Sequence, residues 1–182
     1  RETNDTIYEL IDKIAIEKHL WFFYSSTCPY CAQMVPALKE FSRQTEMKIL
    51  LISMDGGVLP GTEAMDIVFD NEMYVSTQFG VRATPSIFLA NNDGSDFLMI
   101  KEGLSTIPEM QNLILRRGRL SGLINEQEYQ QAQKVREINI FKNENGELTA
   151  PKDAIENDRG YLADMLRAKL EQAKPFGASS IR

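Results

Sequence analysis

The spacing of apolar residues divides most of the chain into helices and short strands. Apolar residues three or four positions apart are typical of amphipathic helices, whereas short continuous apolar runs are typical of buried strands. In chain order, the pattern predicts a helix at residues 5–18, a strand at 20–24, a helix at 29–44 and a strand at 48–54. The first helix would bury one apolar face, formed by Ile7, Leu10, Ile11 and Ile14.

The pattern is less regular after residue 54, where glycine and proline mark loops. A loop begins at Asp55 and extends to Gly61, and helical spacing then indicates a helix within residues 62–79 that Gly80 ends. The remaining elements are strands at residues 86–90 and 96–100, joined by the hairpin turn Asn91-Asn92-Asp93-Gly94, and a helix at residues 107–117.

The order of these elements predicts an α/β fold in residues 1–117. Strands joined by helices pair in parallel, whereas a hairpin is antiparallel, so we expect a mixed central sheet with helices on both faces. Residues 118–182 are more polar, and we expect a mostly helical C-terminal extension with helices at 125–137 and 158–173, followed by a loose tail. An apolar stripe on the last helix would pack on the main domain or on a partner; it comprises Tyr161, Leu162, Met165, Leu166 and Leu170.

Composition excludes some classes of function. The 182 residues carry a net charge of -6 and are 43% hydrophobic, which fits a globular domain with an appendage and argues against a basic, nucleic-acid-binding protein. No apolar run reaches the roughly 18 residues of a membrane span, so we expect no transmembrane segment. The chain begins with Arg1 rather than Met, which leaves open whether a signal peptide was removed.

The two cysteines, Cys28 and Cys31, are the strongest chemical signal in the chain. A C-x-x-C pair can hold zinc, form a structural disulfide or exchange disulfides. A zinc site needs four ligands, and beyond the cysteines the chain offers only His19, so we expect no metal. A disulfide that closes so short a loop removes little entropy from the unfolded chain, which makes a purely structural disulfide a weaker alternative.

The position of the pair favours redox chemistry. Cys28 directly precedes a predicted helix, where unpaired N–H groups and the helix dipole stabilise a thiolate. Cys31 lies one helical turn later, close enough to attack a mixed disulfide formed on Cys28. Both are therefore the predicted catalytic residues. Tyr30, an aromatic residue at the tip of the loop, and its neighbour Pro29 are predicted to contact the substrate.

Several motifs together resemble the thioredoxin superfamily over residues 20–117. These are the strand followed by Cys28-Pro29-Tyr30-Cys31, the helix with Pro36 inside it, and Gly80-Val81-Arg82-Ala83-Thr84-Pro85 before the next strand. The resemblance implies a thioredoxin-like fold in which the Thr84–Pro85 peptide bond is cis and faces the cysteines. It also implies that the Thr84 backbone and Pro85 bind the substrate, and that no cofactor is needed.

Three further segments are similar to TraF and TrbB proteins of conjugative type IV secretion: residues 22–31, Met54-Asp55-Gly56-Gly57 and Leu59-Pro60-Gly61. This resemblance implies a periplasmic location and disulfide-containing protein substrates in the conjugation apparatus. The buried aspartate and lysine of thioredoxin would fall at Phe22 and Leu51, and their loss favours an isomerase or oxidase over a reductase. The alternative is a scaffold or binding module of the secretion assembly in which the cysteines are incidental.

Overall fold

The computed structural model of the protein describes the backbone of residues 2–141 and the side chains of residues 5–135. The helices are α1 (Glu2–Ala15), α2 (Pro29–Gln44), α3 (Tyr74–Gln78), α4 (Ile107–Leu120) and α5 (Glu126–Phe141). The strands are β1 (Lys18–Tyr24), β2 (Ile49–Ser53), β3 (Asp66–Phe69), β4 (Ser86–Asn91) and β5 (Phe97–Glu102). No helix within this part of the chain combines the length and apolar composition that a membrane span requires. The helix predicted at residues 158–173 lies outside the described residues.

The five strands form one mixed sheet in the order β3-β2-β1-β4-β5. β1 is central and pairs in parallel with β2 and antiparallel with β4, while β3 and β5 form the two edges. This confirms the predicted α/β class and the thioredoxin-like fold. Because the cysteine loop follows β1 directly, the site lies at the carboxyl end of the central strand.

The prediction of helical structure within residues 62–79 is wrong for the part before Asp70 and is confirmed only for α3. Residues Asp66–Phe69 form the edge strand β3, which pairs in parallel with β2 and places Ile67 beside Leu51. The β-branched residues Ile67 and Val68 suit this extended backbone, and the pairing satisfies one row of its hydrogen-bonding groups. Only the short helix α3 is helical, and Gly80, with φ +72°, follows its end as predicted.

Other element ends differ by a few residues. The first helix ends at Ala15 rather than residue 18, because Lys18 already pairs with Asn91 as the first residue of β1. The four apolar residues predicted for its inner face are buried. The helix predicted at residues 107–117 continues to Leu120, and the one predicted at 125–137 spans Glu126–Phe141.

The two faces of the sheet are covered unequally. Helices α1, α2 and α4 pack on the face that carries Phe22, Tyr24 and Leu51; we call this the helix-rich face. The opposite face, which we call the aromatic face, carries Trp21, Phe23 and Phe88 and is covered by α3. The predicted helices on both faces are thus confirmed, although a helix of only five residues serves the second face.

The part of the C-terminal extension that the structure describes adds to the helix-rich core. Tyr129 and Ala132 of α5 are buried in the same cluster as α1 and α4. Lys13 Nζ lies 3.1 Å from Glu128, and the Arg119 guanidinium lies 4.3 Å from the centre of the Tyr129 ring. α5 therefore packs on the main body of the protein through both apolar and charged contacts.

Candidate active site

The two cysteines are placed by the junction between β1 and α2. Cys28 is the N-cap residue of α2, with an extended backbone, and Pro29 occupies the first turn, where its missing N–H costs nothing. Cys31 lies in the first turn of the helix, and the two residues form a disulfide with a Cα–Cα distance of 5.2 Å. The junction therefore holds the two sulfurs together at the start of a helix.

The two cysteines differ in access to solvent. Cys28 is half-buried, whereas Cys31 is 0% exposed and belongs to the core of the helix-rich face. A reagent or substrate from outside therefore reaches Cys28 first. After a bond forms on Cys28, Cys31 remains behind it as the nearest thiol.

The local electrostatics favour a negative sulfur at Cys28. The Cys31 N–H donates to Cys28 Sγ over 3.1 Å, and the first turn of α2 contains no acidic residue. Hydrogen bonds and the positive end of a helix dipole both stabilise a thiolate, and this lowers the pKa of a cysteine in such a position. In the reduced protein, this geometry favours a thiolate at Cys28 rather than at the buried Cys31.

The residues predicted to lie opposite the cysteines do so. The Thr84–Pro85 peptide bond is cis, and the Thr84 carbonyl oxygen lies 3.5 Å from Cys28 Sγ. Pro85 is buried beside Ser86, whose hydroxyl donates to the Ala83 carbonyl over 2.7 Å. Pro29 and Tyr30 are exposed, Tyr30 to 58%. Substrate contacts of these four predicted residues stay predictions.

Phe22 and Leu51, the positions at which the resemblance places the buried aspartate and lysine of thioredoxin, form an apolar pair. Phe22 and Leu51 are paired in register across β1 and β2, and both are fully buried in the helix-rich core. The Phe22 ring also lies beside Tyr24, with ring centres 6.4 Å apart. The sheet therefore provides no carboxylate at Phe22 or Leu51 to accept a proton from Cys31.

Sequence reasoning missed the role of Asp55, which we interpreted only as the start of a loop. One Asp55 oxygen accepts hydrogen bonds from the Ser26 N–H over 2.9 Å, the Ser26 hydroxyl over 2.7 Å and the Ser25 hydroxyl over 3.1 Å. The other oxygen accepts from the Gly57 N–H over 3.0 Å. The Ser26 hydroxyl and the Gly57 N–H are the main groups that lower the pKa of Asp55 to about 2. Asp55 is thus a carboxylate bonded directly to the loop that carries Cys28.

The sequence does contain one signal for this contact. Asp55 is followed by two glycines, and each lies where another chain segment comes close. A side chain at Gly57 would overlap Ser26, and one at Gly56 would meet Asn71 Oδ1 at 2.6 Å. A pair of glycines beside a carboxylate can therefore indicate tightly packed loops as well as a simple turn.

The site offers little to a metal ion. Within residues 5–135, no three or more His, Cys, Asp or Glu side chains are grouped closely enough to hold one. In the oxidised protein the two sulfurs are bonded to each other, so neither is available as a ligand. The arrangement instead contains the parts required for thiol–disulfide exchange.

The fold and site together define a thioredoxin-like domain with a cysteine pair at the start of its second helix. A family model described as TraF, F plasmid transfer operon protein, matches residues 2–115. The chain belongs to this family. No curated protein sequence matches it.

Solved structures with a similar backbone fold include one from Bacillus subtilis and two from Mycobacterium tuberculosis. StoA from Bacillus subtilis is 19% identical, with a TM-score of 0.42 over 53% of this chain and 81% of its own. A secreted Mycobacterium tuberculosis disulfide oxidoreductase homologous to E. coli DsbE is 13% identical, with a TM-score of 0.44 over 55% and 81%. DsbF from M. tuberculosis is 14% identical, with a TM-score of 0.45 over 59% and 81%.

Proposed function

We propose that the protein is a thiol–disulfide oxidoreductase of the isomerase or oxidase type. The observation that carries this proposal is the cysteine pair itself: a half-buried Cys28 at the start of α2, with a fully buried Cys31 behind it. The hydrogen bond from the Cys31 N–H to Cys28 Sγ supports the role of Cys28 as nucleophile. We propose that Thr84, Pro85, Pro29 and Tyr30 form the substrate-binding surface around it.

The exchange proceeds in two balanced steps. In the first, the Cys28 thiolate attacks a substrate disulfide, forms a mixed disulfide and releases the other substrate sulfur as a thiolate, which takes up a proton. In the second, Cys31 loses its proton and attacks Cys28 Sγ, which forms the Cys28–Cys31 disulfide and frees the second substrate thiol. The substrate gains two electrons and two protons. Oxidation of a substrate is the reverse, whereas isomerisation ends when a substrate thiolate attacks the substrate sulfur of the mixed disulfide, which forms a new substrate disulfide and releases the Cys28 thiolate.

The apolar surroundings of Cys31 support isomerisation, in which Cys31 need not react, over net reduction. Net reduction requires Cys31 to lose its proton, and burial in apolar surroundings raises the pKa of a thiol. The side chains of Phe22 and Leu51 cannot accept that proton. Slow resolution by Cys31 would lengthen the life of the mixed disulfide, which gives a substrate thiol time to attack.

We propose a periplasmic location and clients among the proteins of the conjugation apparatus. The match to a family described by an F plasmid transfer operon protein supports this proposal. We further propose that residues 1–117 form the redox domain and that the extension at 118–182 contributes contacts to the assembly. The apolar stripe of Tyr161 to Leu170, which suggested such contacts, lies outside the described residues.

The roles of the two cysteines can be distinguished by substituting each cysteine separately. We expect Cys28→Ala to abolish both the reduction of insulin and the refolding of a protein with scrambled disulfides, since no accessible nucleophile remains. Cys31→Ala is the matched control: it should lose net reduction but retain a measurable part of the refolding activity. Full activity of Cys28→Ala in either assay would contradict the proposal.

A conjugation assay distinguishes this enzyme from a scaffold. A Cys28→Ser, Cys31→Ser double variant should fail to support transfer if exchange is the function. A truncation after Phe141 is the matched test of the extension, because it keeps the buried Tyr129 and Ala132 in place. Normal transfer by the double serine variant together with loss of transfer by the truncated chain would favour the scaffold.

A further inference from the structure

We propose that Asp55 is a positioning residue for the cysteine pair. It acts through Ser25 and Ser26, which it binds directly, and so holds the Cys28 sulfur in line with the Cys31 N–H. This inference rests on the proposed function, because it concerns the reactivity of the same nucleophile.

The first part of the argument is the number of donors that converge on one carboxylate. Asp55 Oδ2 accepts from the Ser26 N–H, the Ser26 hydroxyl and the Ser25 hydroxyl at 2.7–3.1 Å. Asp55 Oδ1 accepts from the Gly57 N–H at 3.0 Å. Both carboxylate oxygens accept hydrogen bonds: Oδ2 from the loop that carries Cys28, and Oδ1 from the loop that carries Asp55 itself. Asp55 therefore joins two segments that are about thirty residues apart in the chain.

The second part connects this contact to the sulfur. The Ser25 carbonyl accepts a hydrogen bond from the Cys28 N–H over 3.1 Å, so the backbone held by Asp55 also holds the backbone of Cys28. The Cys28 side chain in turn accepts from the Cys31 N–H over 3.1 Å. A hydrogen bond to a thiolate stabilises it only while the donor and the sulfur stay aligned. Movement of the residues before Cys28 would therefore weaken the stabilisation of its thiolate.

The third part is that the loop on the other side is itself fixed. The Gly57 carbonyl accepts from the buried Tyr24 hydroxyl over 2.8 Å and from the Ser53 hydroxyl over 2.7 Å. These residues lie at the carboxyl ends of β1 and β2 and are paired in register. Asp55 is thus connected, through Gly57, to the carboxyl ends of β1 and β2. The approach is so close that a side chain at Gly57 would overlap Ser26.

A direct effect of the charge of Asp55 would have the opposite sign. A nearby negative charge disfavours a thiolate, so neutralising Asp55 would make Cys28 more reactive if charge alone mattered. Asp55 is exposed to solvent, where water and salt screen its charge. Positioning instead predicts that Cys28 becomes less reactive when the contact is lost. The two effects are therefore separated by the direction of the change.

The test measures the rate at which iodoacetamide alkylates Cys28 in the reduced full-length protein at about pH 6, with the site identified by peptide mass spectrometry. In Asp55→Asn, one oxygen is replaced by an N–H donor, so both sets of hydrogen bonds cannot be kept. We expect the rate to fall about tenfold, the loss that follows from weakening one hydrogen bond to a charged group. The absorbance of the thiolate near 240 nm should fall in parallel.

Gly57→Ala provides an independent second variant because it keeps the charge of Asp55. Its φ is not positive, so the substitution acts mainly through the overlap with Ser26, although the new Cβ would also lie 3.3 Å from Asp55 Oδ1. We expect a decrease in the same direction as in Asp55→Asn. Ser26→Ala removes only one hydrogen bond and should give a smaller decrease, which remains measurable if the other two variants fold poorly.

Asp70→Asn is the matched control. Asp70 also accepts two backbone N–H groups, from Val75 at 3.2 Å and Ser76 at 2.8 Å, but it supports α3 rather than the cysteine loop. We expect it to lower the thermal stability of the protein while the alkylation rate of Cys28 stays within twofold of the original. An equal loss of rate in Asp70→Asn would show that general loosening explains the effect and would overturn the proposal.

An unchanged or faster alkylation rate in Asp55→Asn, or an unchanged rate in Gly57→Ala, would also overturn it. The comparison does not depend on turnover, because the alkylation rate can be measured whether or not the protein catalyses exchange. If the unsubstituted protein neither reduced insulin nor refolded a protein with scrambled disulfides, that result would contradict the proposed function but not the positioning role of Asp55. A tenfold slower alkylation in Asp55→Asn would support the positioning role in either case.

Discussion

The two faces of the sheet are stabilised by different means. The helix-rich face is covered by three long helices. Its core consists mainly of aliphatic side chains, and it also contains Phe22, Tyr24 and Cys31. The aromatic face is covered by the five-residue helix α3, and its smaller buried cluster contains Phe23 and Phe88. The reactive cysteine pair belongs to the first face. The two sulfurs are thus held on the side of the sheet that is more fully covered by helices.

On the aromatic face, stacked rings provide part of the cover that helices provide on the other. Trp21 stacks on Phe79 with ring centres 5.4 Å apart, and Phe97 lies 4.3 Å from Phe79. Each such ring pair contributes about 0.5–1.5 kcal/mol beyond the area that it buries. Phe97 nevertheless remains 38% exposed. The aromatic face is therefore stabilised by contacts that are individually weaker and partly open to water.

The largest expected effect concerns one phenylalanine on each face. Phe22→Ala should lower the free energy of unfolding by about 3–5 kcal/mol, because it leaves a cavity in the helix-rich core. Phe97→Ala should lower it by only about 1 kcal/mol, since the ring is partly exposed and lies at the sheet edge. Urea unfolding followed by circular dichroism measures both. Equal losses would contradict the proposed difference between the faces.

The second prediction tests how tightly the helix-rich face is packed. Gly118 lies inside α4, where alanine would normally be favoured by about 1 kcal/mol. A side chain at this position would instead overlap the end of Ile14 and lie 2.7 Å from its Cγ1. Gly118→Ala should therefore destabilise the protein by about 1–3 kcal/mol.

A double-mutant cycle with Ile14→Ala identifies the cause of that loss. If α1 and α4 clash at this point, Gly118→Ala should be neutral or stabilising when Ile14→Ala is already present. An equal loss in both backgrounds would mean that the two helices do not limit each other here.

The third prediction compares the two aspartates that anchor the loops, Asp55 beside the cysteines and Asp70 at α3. Burial raises the pKa of Asp70, but the Ser76 and Val75 N–H groups outweigh it, so its pKa lies below the ordinary value. Its stabilising contribution is therefore complete above about pH 4 and is lost as the pH falls through the lower pKa of the folded state. Asp70→Asn should cost about 1 kcal/mol at neutral pH, because hydrogen bonds to a charged acceptor are stronger than those to a neutral one, and this difference should shrink below about pH 4.

Unfolding of both aspartate variants by urea at several pH values measures this dependence. Asp55→Asn should show the same sign, with its difference from the original protein shrinking between about pH 4 and a pKa of about 2. A difference that grows on acidification for either variant would contradict the contacts described.

The smallest expected effect is a change in the fluorescence emission of Trp21 when the disulfide is reduced. Trp21 is the only tryptophan in the chain and lies on the aromatic face, with its Nε1 donating to His19 over 2.8 Å. Cys31 lies on the opposite face, so reduction of the disulfide should leave the emission of Trp21 nearly unchanged. Fluorescence spectra of the oxidised and reduced protein provide the measurement. A large change would show that the two faces are coupled through the sheet.

The elements that the sequence predicted well are those whose pattern is local. The run at residues 20–24 is the central strand, and the helix after Cys28 begins and ends where its spacing indicated. The strand β3 was missed because it has only four residues, and its apolar run of three is shorter than the runs that predicted the buried strands. Its strand character comes from pairing with β2, a contact that local spacing does not reveal.

The same distinction applies to the site. The cysteine pair was predicted from its spacing and position, and the cis Thr84–Pro85 bond from the resemblance to the thioredoxin superfamily. The hydrogen bonds of Asp55 to Ser25 and Ser26 were not, since they depend on where two distant loops meet. Asp55-Gly56-Gly57 is ordinary turn chemistry when considered alone. Only the positions of Ser26 against Gly57 and of Asn71 against Gly56 show why these glycines are needed.

The central place of β1 has a consequence for local unfolding. Its residues are hydrogen-bonded to β2 on one side and β4 on the other, whereas β3 and β5 each have one paired side. Backbone amides in such a doubly paired strand open only in the most costly fluctuations, so they exchange with deuterium most slowly, while edge strands fray at lower cost. The segment that carries Cys28 continues from β1, which should exchange as slowly as its neighbours β2 and β4, because these strands are also paired on both sides. The geometry of the sulfurs should therefore survive fluctuations that briefly detach either edge of the sheet.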